Sequence, residues 1–570
     1  MTLIEKKIES YLLNAIKETF ENIEIDEVSI QPSNNLKFGD YQTNFAMVNA
    51  KKIGDNPRKI AEKIINNIKE NEIIEKIEIA GPGFINIFLK TEYLANELKK
   101  IGEKFDFDFL DKDGDVVIDY SSPNIAKRMH IGHLRSTVIG DSIKRIYKFL
   151  GYNIIADNHI GDWGTQFGKL IVGYKNWLDK YNYEKNPIEE LERIYVEFSK
   201  RSEEDNTLED LAREELRKLQ QGDEEAKKLW EEFIKVSLQE YDKIYKRMDI
   251  EFDTYYGESF YHDIMPVVIE ELKAKGIAKE DDGALVVFFD EEKNLHPCIV
   301  QKKDGAYLYS TSDLATIKYR RENYNLNKII YVTDERQQDH FRQIFEITDM
   351  LNWKDEKHHI WFGIMRFADG IFSTRKGNVI KLNDLLDESV DRAYKIVAEK
   401  NPTLSEEEKR NIAEIVGVGA VKYADLSQNR TSPIIFEWDK ILSFEGNTSP
   451  YLQYSYARIR SIMRNANENN IKVDYNKKLI FTEESEINLI KFLFQFPRTV
   501  ILSANNFKPN LLADYIFELS KKFNTFYNAL PILKGENEEI INSRLILCDK
   551  VSFIIKEGLN LLGINTVERM

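Results

Sequence analysis

Cysteine is almost missing from this chain: Cys298 and Cys548 are the only two in 570 residues. Two distant thiols cannot form a four-thiolate metal site, and they make a disulfide framework implausible. A reducing, cytoplasmic setting fits. Long apolar runs are missing too; no stretch reaches the roughly 18 residues that a membrane-spanning helix needs. The opening Met1-Thr2-Leu3-Ile4-Glu5-Lys6-Lys7 lacks a basic region followed by an apolar one, so no export signal is expected. Positive charge is in deficit: 96 acidic against 80 basic residues leave a net charge of -16. Taken alone, that disfavours wholesale nucleic-acid binding. A local basic face remains compatible with it, because screening leaves only charges close to a phosphate effective. Internal repeats and low-complexity tracts are also lacking. What is present is 42% hydrophobic residues in a chain long enough for about three to four domains.

Residues 1–108 read as a small α+β domain. Thr2 and Glu5 have capping-box spacing. Ile4, Ile8, Leu12 and Ile16 then form a helical stripe. A second helix is predicted over 57–69, and two strands, 77–79 and 84–89, flank Gly81-Pro82-Gly83. Val116-Val117-Ile118 reads as a buried strand, 132–150 as a helix ended by Gly151, and Ile154-Ile155-Ala156 as the next strand. That is a strand-helix-strand unit of parallel type. Further strands are predicted at 329–332 and 360–363, with a helix from about His340. The reading for 109–435 is a Rossmann-like, doubly wound parallel sheet with its ligand crevice at the C-terminal strand ends. The Glu- and Lys-rich stretch 183–248 reads as a solvated helical insertion. From about Asn401 the pattern is almost wholly helical, and 436–570 forms an all-α C-terminal domain.

The sharpest chemical signal is His130-Ile131-Gly132-His133, placed after a buried strand and at a helix start. A helix N-terminus offers free backbone N–H groups and partial positive charge to phosphates. Glycine lets a nucleotide approach the backbone closely. Two imidazoles three residues apart share a face and can donate hydrogen bonds to a phosphoryl group as charge builds on it. The plain alternative for these four residues alone is a pair of ordinary polar histidines.

The longer segment 121–136, Ser-Ser-Pro-Asn-Ile-Ala-Lys-Arg-Met-His-Ile-Gly-His-Leu-Arg-Ser, resembles the signature of the arginyl-tRNA synthetases, a class I aminoacyl-tRNA synthetase family. The blocks 158–168 (Asn-His-Ile-Gly-Asp-Trp-Gly-Thr-Gln-Phe-Gly) and 445–454 (Glu-Gly-Asn-Thr-Ser-Pro-Tyr-Leu-Gln-Tyr) resemble other blocks of the same family. So does the end, Val567-Glu568-Arg569-Met570. The class's second signature, Lys-Met-Ser-Lys-Ser, is degenerate here: the matching stretch is Ile371-Phe372-Ser373-Thr374-Arg375-Lys376, with Ile371 and Thr374 at the two lysine positions. A cation is still needed where charge moves onto pyrophosphate. Arg375 and Lys376 are the local candidates; the plain alternative is a solvated basic loop. By resemblance, Lys127 is the lysine that compensates.

The resemblance implies an ATP site built from His130, Gly132, His133, His159, Ser373 and Thr374. It implies an arginine pocket made of Asp119, Ser122, Asn124, His130, Tyr309, Asp313 and Gln337. A guanidinium is a planar fork of five donors that ionised carboxylates match, so Asp313 is the expected partner with Tyr309 beside it. Seen in isolation, both read as a surface Asp and a half-buried Tyr. For tRNA, the resemblance points to Asn35, Phe38, Tyr41 and Gln42 at the tRNA corner (the D-loop). Tyr451, Tyr454 and Met570 are the corresponding group in an anticodon-binding C-terminal domain. Aromatic rings suit stacking on unpaired bases; a turn with a core Phe, and a helix-packing Tyr stripe, are the plain alternatives. Magnesium is expected to travel with ATP, with no dedicated protein metal site, no structural zinc and no tightly bound cofactor. The expected partners are ATP, L-arginine and the tRNA for arginine; a monomer is the default. Three rivals stay open on the residues alone: another class I synthetase, a synthetase-like binding protein without catalysis, and a different nucleotidyltransferase.

Overall fold

A computed structural model describes residues 3–20, 25, 27–33, 36–178, 182–367 and 380–570. The chain opens with helix α1 (Ile4–Thr19), whose Ile4, Ile8, Leu12 and Ile16 are all buried. Its N-cap is Leu3, which makes no side-chain cap; the Thr2 of the predicted capping box lies outside the described residues. Strands β1 (Gln31–Pro32), β2 (Tyr41–Thr43), β3 (Ile74–Ala80) and β4 (Phe84–Leu89) form an antiparallel sheet in the order β1-β2-β4-β3. Helix α2 (Pro57–Asn66) starts on the predicted proline, and Asn56 caps it by accepting from the Arg58 N–H at 3.0 Å. It stops earlier than predicted, at the C-cap Asn67, although Ile68 still packs against the core.

The second unit is built on a parallel sheet of β5 (Asp115–Asp119), β6 (Asn153–Asp157), β7 (Leu326–Tyr331) and β8 (Glu356–His359), in the spatial order β8-β7-β5-β6. The chain enters at β5, moves outward to β6, and returns on the other side through β7. The order therefore reverses between β5 and β7, and the crevice of a doubly wound sheet opens there at the C-terminal strand ends. Helix α3 (Ile131–Leu150) is the crossover between parallel β5 and β6, and Gly151 closes it in the left-handed conformation at φ 93°. The strand predicted at 360–363 is displaced: the paired strand is the more polar Glu356–His359. It is an edge strand and needs no apolar sequence. Ile360 and Phe362 run on beside the end of β7, the Ile360 N–H donating to the Tyr331 carbonyl at 2.7 Å, and both side chains are buried.

Helices α4 (Thr165–Trp177), α5 (Pro187–Glu204), α6 (Thr207–Gln220) and α7 (Glu224–Arg247) follow β6. The last three make up the predicted insertion, but the solvated reading holds for one face only. Leu191, Ile194, Phe198, Phe233 and Tyr241 are buried, and Gly173 lets α5 approach so closely that a Cβ there would lie 2.5 Å from Ile194. An antiparallel three-stranded sheet (278–301), which the sequence reading did not anticipate, precedes helix α8 (Tyr309–Asn323). Helix α9 (Gln338–Met350) follows β7.

Helices Leu382–Lys400 and Glu406–Leu426 lead into the C-terminal bundle. One short strand, Ile434–Phe436, pairs in parallel with Met365–Phe367 and interrupts the helical pattern. Helices α10 (Ser449–Glu468), α11 (Glu484–Leu493), α12 (Phe496–Asn505), α13 (Pro509–Ala529) and α14 (Glu538–Leu561) complete it. The bundle also holds the first unit: Lys491 pairs with buried Asp40 at 2.6 Å, and Lys550 donates to the Ile101 carbonyl at 2.6 Å. Among the described residues no helix is long and apolar enough to cross a membrane.

Candidate active site

The helix α3 starts on a capping box made of two imidazoles. His130 is the N-cap, in extended conformation, and its Nδ1 accepts from the Gly132 N–H at 3.0 Å. His133 Nδ1 accepts from the His130 N–H at 3.1 Å, and the two rings lie 4.0 Å apart. Because both Nδ1 atoms accept, each neutral ring carries its proton on Nε2. Burial lowers the pKa of both rings. The Lys381 ammonium adds to this at His130, and the neighbouring His130 adds at His133, which is held at about 3. The pair therefore stays neutral at physiological pH and offers two Nε2–H donors. Gly132 is required on steric grounds, since a Cβ there would sit 2.7 Å from the His130 ring.

The loop entering this helix is strained. Ser121, Ser122 and Ala126 have φ of 75°, 48° and 61°, in the left-handed region that only glycine visits freely. Surrounding hydrogen bonds hold them there. The Ser122 N–H donates to Asn158 Oδ1 at 3.0 Å and the Ala126 N–H to Ser237 Oγ at 2.9 Å. The Tyr241 hydroxyl donates to the Asn124 and Lys127 carbonyls at 2.6 and 2.8 Å, and the Tyr245 hydroxyl lies 2.7 Å from Ser121 Oγ. Ser237, Tyr241 and Tyr245 form one face of α7, so the insertion braces the signature. Sequence reasoning missed them; the signal was a polar stripe at helical spacing on an otherwise amphipathic helix. From the other side, buried Arg135 binds Asp425 at 2.9 Å and ties α3 to Glu406–Leu426.

At the crevice, Asp119 and Asp157 end β5 and β6. Arg320, 1% exposed, donates to Asp119 Oδ2 at 2.7 Å and to Asp157 Oδ2 at 2.6 Å. Burial raises the Asp119 pKa, and Arg320 opposes it. Asp119, expected among the arginine contacts, thus has one oxygen committed to a resident guanidinium, while Ser122 Oγ lies 3.4 Å from the other. Asp119, Asp157 and His159 have metal-ligand spacing. The set does not fit a divalent ion, because the Arg320 guanidinium already occupies the Oδ2 atoms of both carboxylates and Thr254 donates to the other oxygen of Asp157.

His159 lies beside the buried Tyr261 ring at 5.4 Å. Nearby Glu258, missed in the sequence, is pushed up to about 7, chiefly by burial. Tyr309 and Asp313 occupy the first and second turns of α8. Tyr309 is 73% exposed, and Asp313 Oδ2 is 2.5 Å from His340 Nε2 on α9. Gln337 is exposed and Asn124 is exposed on the signature loop. The Lys127 ammonium lies 5.0 Å over the Tyr195 ring of α5. Ser373, Thr374, Arg375 and Lys376 lie outside the described residues, as does Asn35.

Of the expected tRNA contacts, Phe38 is 56% exposed on a short 3-10 turn, and Gln42 is half-buried on β2. Tyr41 is a correction: it is 4% exposed and packs in the core, and burial pushes its hydroxyl pKa well up. Strand alternation put Tyr41 on the inner face of β2, so its ring is not available to a base. Tyr451 packs edge-on against Phe517 and accepts from Asn524 at 2.8 Å. The Arg458 guanidinium lies 4.9 Å over the Tyr454 ring. Met570 is half-buried against the cluster containing Val567.

A parallel sheet with paired neutral imidazoles at its first crossover helix, beside the reversal of strand order, defines a nucleotide-binding catalytic domain of the class I synthetase type. Family comparison agrees with that geometry. Residues 101–438 match the class I (R) tRNA synthetase catalytic domain, 452–570 the DALR anticodon-binding domain, and 6–89 the arginyl-tRNA synthetase N-terminal domain. An arginine–tRNA ligase of Fusobacterium nucleatum is 62% identical over 570 residues, covering all of both chains, and one of Saccharophagus degradans is 46% identical, covering 94% of each. The crystal structure of arginyl-tRNA synthetase from Plasmodium falciparum superposes with a TM-score of 0.84 at 34% identity, covering all of both chains. The chain belongs to the arginyl-tRNA synthetase family.

Proposed function

We propose that this chain activates L-arginine with ATP and transfers the arginyl group to the 3′ end of its cognate tRNA. In the first step the arginine carboxylate attacks the α-phosphorus; the new P–O bond forms as the bond to pyrophosphate breaks. In the second, a hydroxyl of the tRNA's terminal adenosine attacks the adenylate carbonyl, and AMP leaves. No protein nucleophile is needed, and the enzyme works by positioning and charge stabilisation. The observation that carries this reading is the imidazole capping box, which fixes two Nε2–H donors at a helix N-terminus, where a phosphate is already favoured.

The roles of the remaining residues follow the same chemistry. Asp313, oriented by His340, is the carboxylate for the guanidinium, with Tyr309, Gln337, Ser122 and Asn124 around the substrate. Asp119 acts from within its ion pair with Arg320. Lys127, Arg375 and Lys376 supply cations to the pyrophosphate side. Magnesium enters on the ATP phosphates and not on a protein site. Residues 1–108, carrying exposed Phe38, bind the tRNA corner. Residues 436–570 bind the anticodon through Tyr454, Tyr451 and the chain end, and 109–435 carry the chemistry. The protein acts as a cytoplasmic monomer and forms the adenylate only with tRNA bound. The deciding test is aminoacylation of unfractionated tRNA with each labelled amino acid in turn. Charging by arginine alone is expected; charging by another amino acid overturns the pocket, and no charging by folded protein overturns the activity.

A further inference from the structure

The insertion helix α5 turns one stripe toward the signature: Glu189, Glu192 and Tyr195, at spacings of three. Glu192 Oε2 accepts from Arg128 Nε at 2.8 Å, and its Oε1 pairs with the Lys381 ammonium. Glu189 lies 3.7 Å from the same Arg128, and the Tyr195 ring lies under Lys127. Arg128 precedes His130 by two residues. Lys381 is opposite His130 in an antiparallel bridge; the Ile131 N–H donates to the Ile380 carbonyl at 3.1 Å, and the Leu382 N–H to the Met129 carbonyl at 2.9 Å. A closed ring results: from Arg128 along the main chain to His130, across the bridge to Lys381, and back through the Glu192 carboxylate. Of the two signature imidazoles, His130 is the one inside that ring, and its main-chain N–H is also the donor that holds His133.

We infer that Glu192 is a positioning residue for ATP: by bridging Arg128 and Lys381 it fixes the main chain at His130, and through it the aim of both imidazoles. Glu192 does this from a rigid base, because Leu191 and Ile194 beside it are fully buried. The two hydrogen bonds outweigh the effect of burial and hold its carboxyl below the usual range, so the bridge is ionised at working pH. Lys381 also sets the charge near His130. A bridge of half-buried charged groups is stronger than an exposed ion pair. The sequence signal was the three-residue stripe inside a segment that otherwise reads as solvent-facing.

The inference rests on ATP lying at the signature end of α3. The test is steady-state aminoacylation by the full chain carrying Glu192→Gln, Lys381→Gln, both, or His133→Asn as the reference for the site. Glu192→Gln is expected to raise the ATP KM about tenfold, the loss of one charge-assisted hydrogen bond, and the arginine KM by clearly less, because of the two imidazoles only His130 is also an expected arginine contact. Lys381→Gln should do the same from the other side, and the double variant should be no worse than the more affected single one. Wild-type ATP KM in Glu192→Gln, with His133→Asn impaired, overturns the inference and leaves the site standing. Equal rises in ATP and arginine KM reduce Glu192 to general support and also overturn it. Full activity in His133→Asn removes the site itself and the inference with it.

Discussion

His133 combines two jobs that substitution can separate. Its Nδ1 caps a helix and its Nε2–H is available to a phosphate. Asparagine places an acceptor near Nδ1 but has nothing at Nε2; glutamine does the reverse. His133→Asn should therefore keep most of the cap and lose the donor. Its stability at pH 8 should fall by less than about 1 kcal/mol, the usual worth of a cap, while kcat should fall by about 10²–10³, the cost of one transition-state donor. His133→Gln should show the opposite order. Acid provides an independent check. The folded-state pKa of about 3 lies below the ordinary histidine value of 6.5, so the ring is held neutral in the fold. Its contribution to stability is whole above pH 6.5 and is lost as pH falls from there toward 3. Linkage puts the loss near pH 5 at about 2 kcal/mol. Urea unfolding at pH 8 and pH 5, with kcat at pH 8, measures all three quantities. Wild-type kcat in His133→Asn would refute the donor role. An acid loss of stability as large in His133→Asn as in the wild type would refute the buried neutral imidazole.

Arg320→Met leaves Asp119 and Asp157 buried with no cation, so it should cost about 3–5 kcal/mol at neutral pH. Asp119, already raised by burial, would lose the guanidinium that opposes the rise, so the deficit should shrink as acid protonates it; urea unfolding at pH 7 and pH 4.5 reads both. Asp313→Asn should raise the arginine KM about a hundredfold and leave the ATP KM unchanged, by steady-state charging, because a charge-assisted fork to a guanidinium is lost. Phe38→Ala should raise the tRNA KM about tenfold, one stacked base's worth, whereas Tyr41→Phe should leave it unchanged; a rise in Tyr41→Phe would reverse the correction at that residue.

Much of the fold was legible because local periodicity and burial agree. Ile4, Ile8, Leu12 and Ile16 could face only one way, and Val116-Val117-Ile118 before a long helix closed by Gly151 could form only a crossover. The displaced strand at Glu356–His359 was not legible, because an edge strand need not be apolar. The sequence alone pointed to the chemistry of the signature: two imidazoles and a glycine at a helix start suit a phosphate. Only the tertiary structure decided what holds that signature in place. Arg320 is 201 positions from Asp119, Ser237 is 111 from Ala126, and Glu192 is 64 from Arg128. Such partners have no mutual spacing in a sequence. A strained loop and a buried pair of carboxylates are stable only when distant side chains complete their hydrogen bonds, and that completion exists only once the chain has folded.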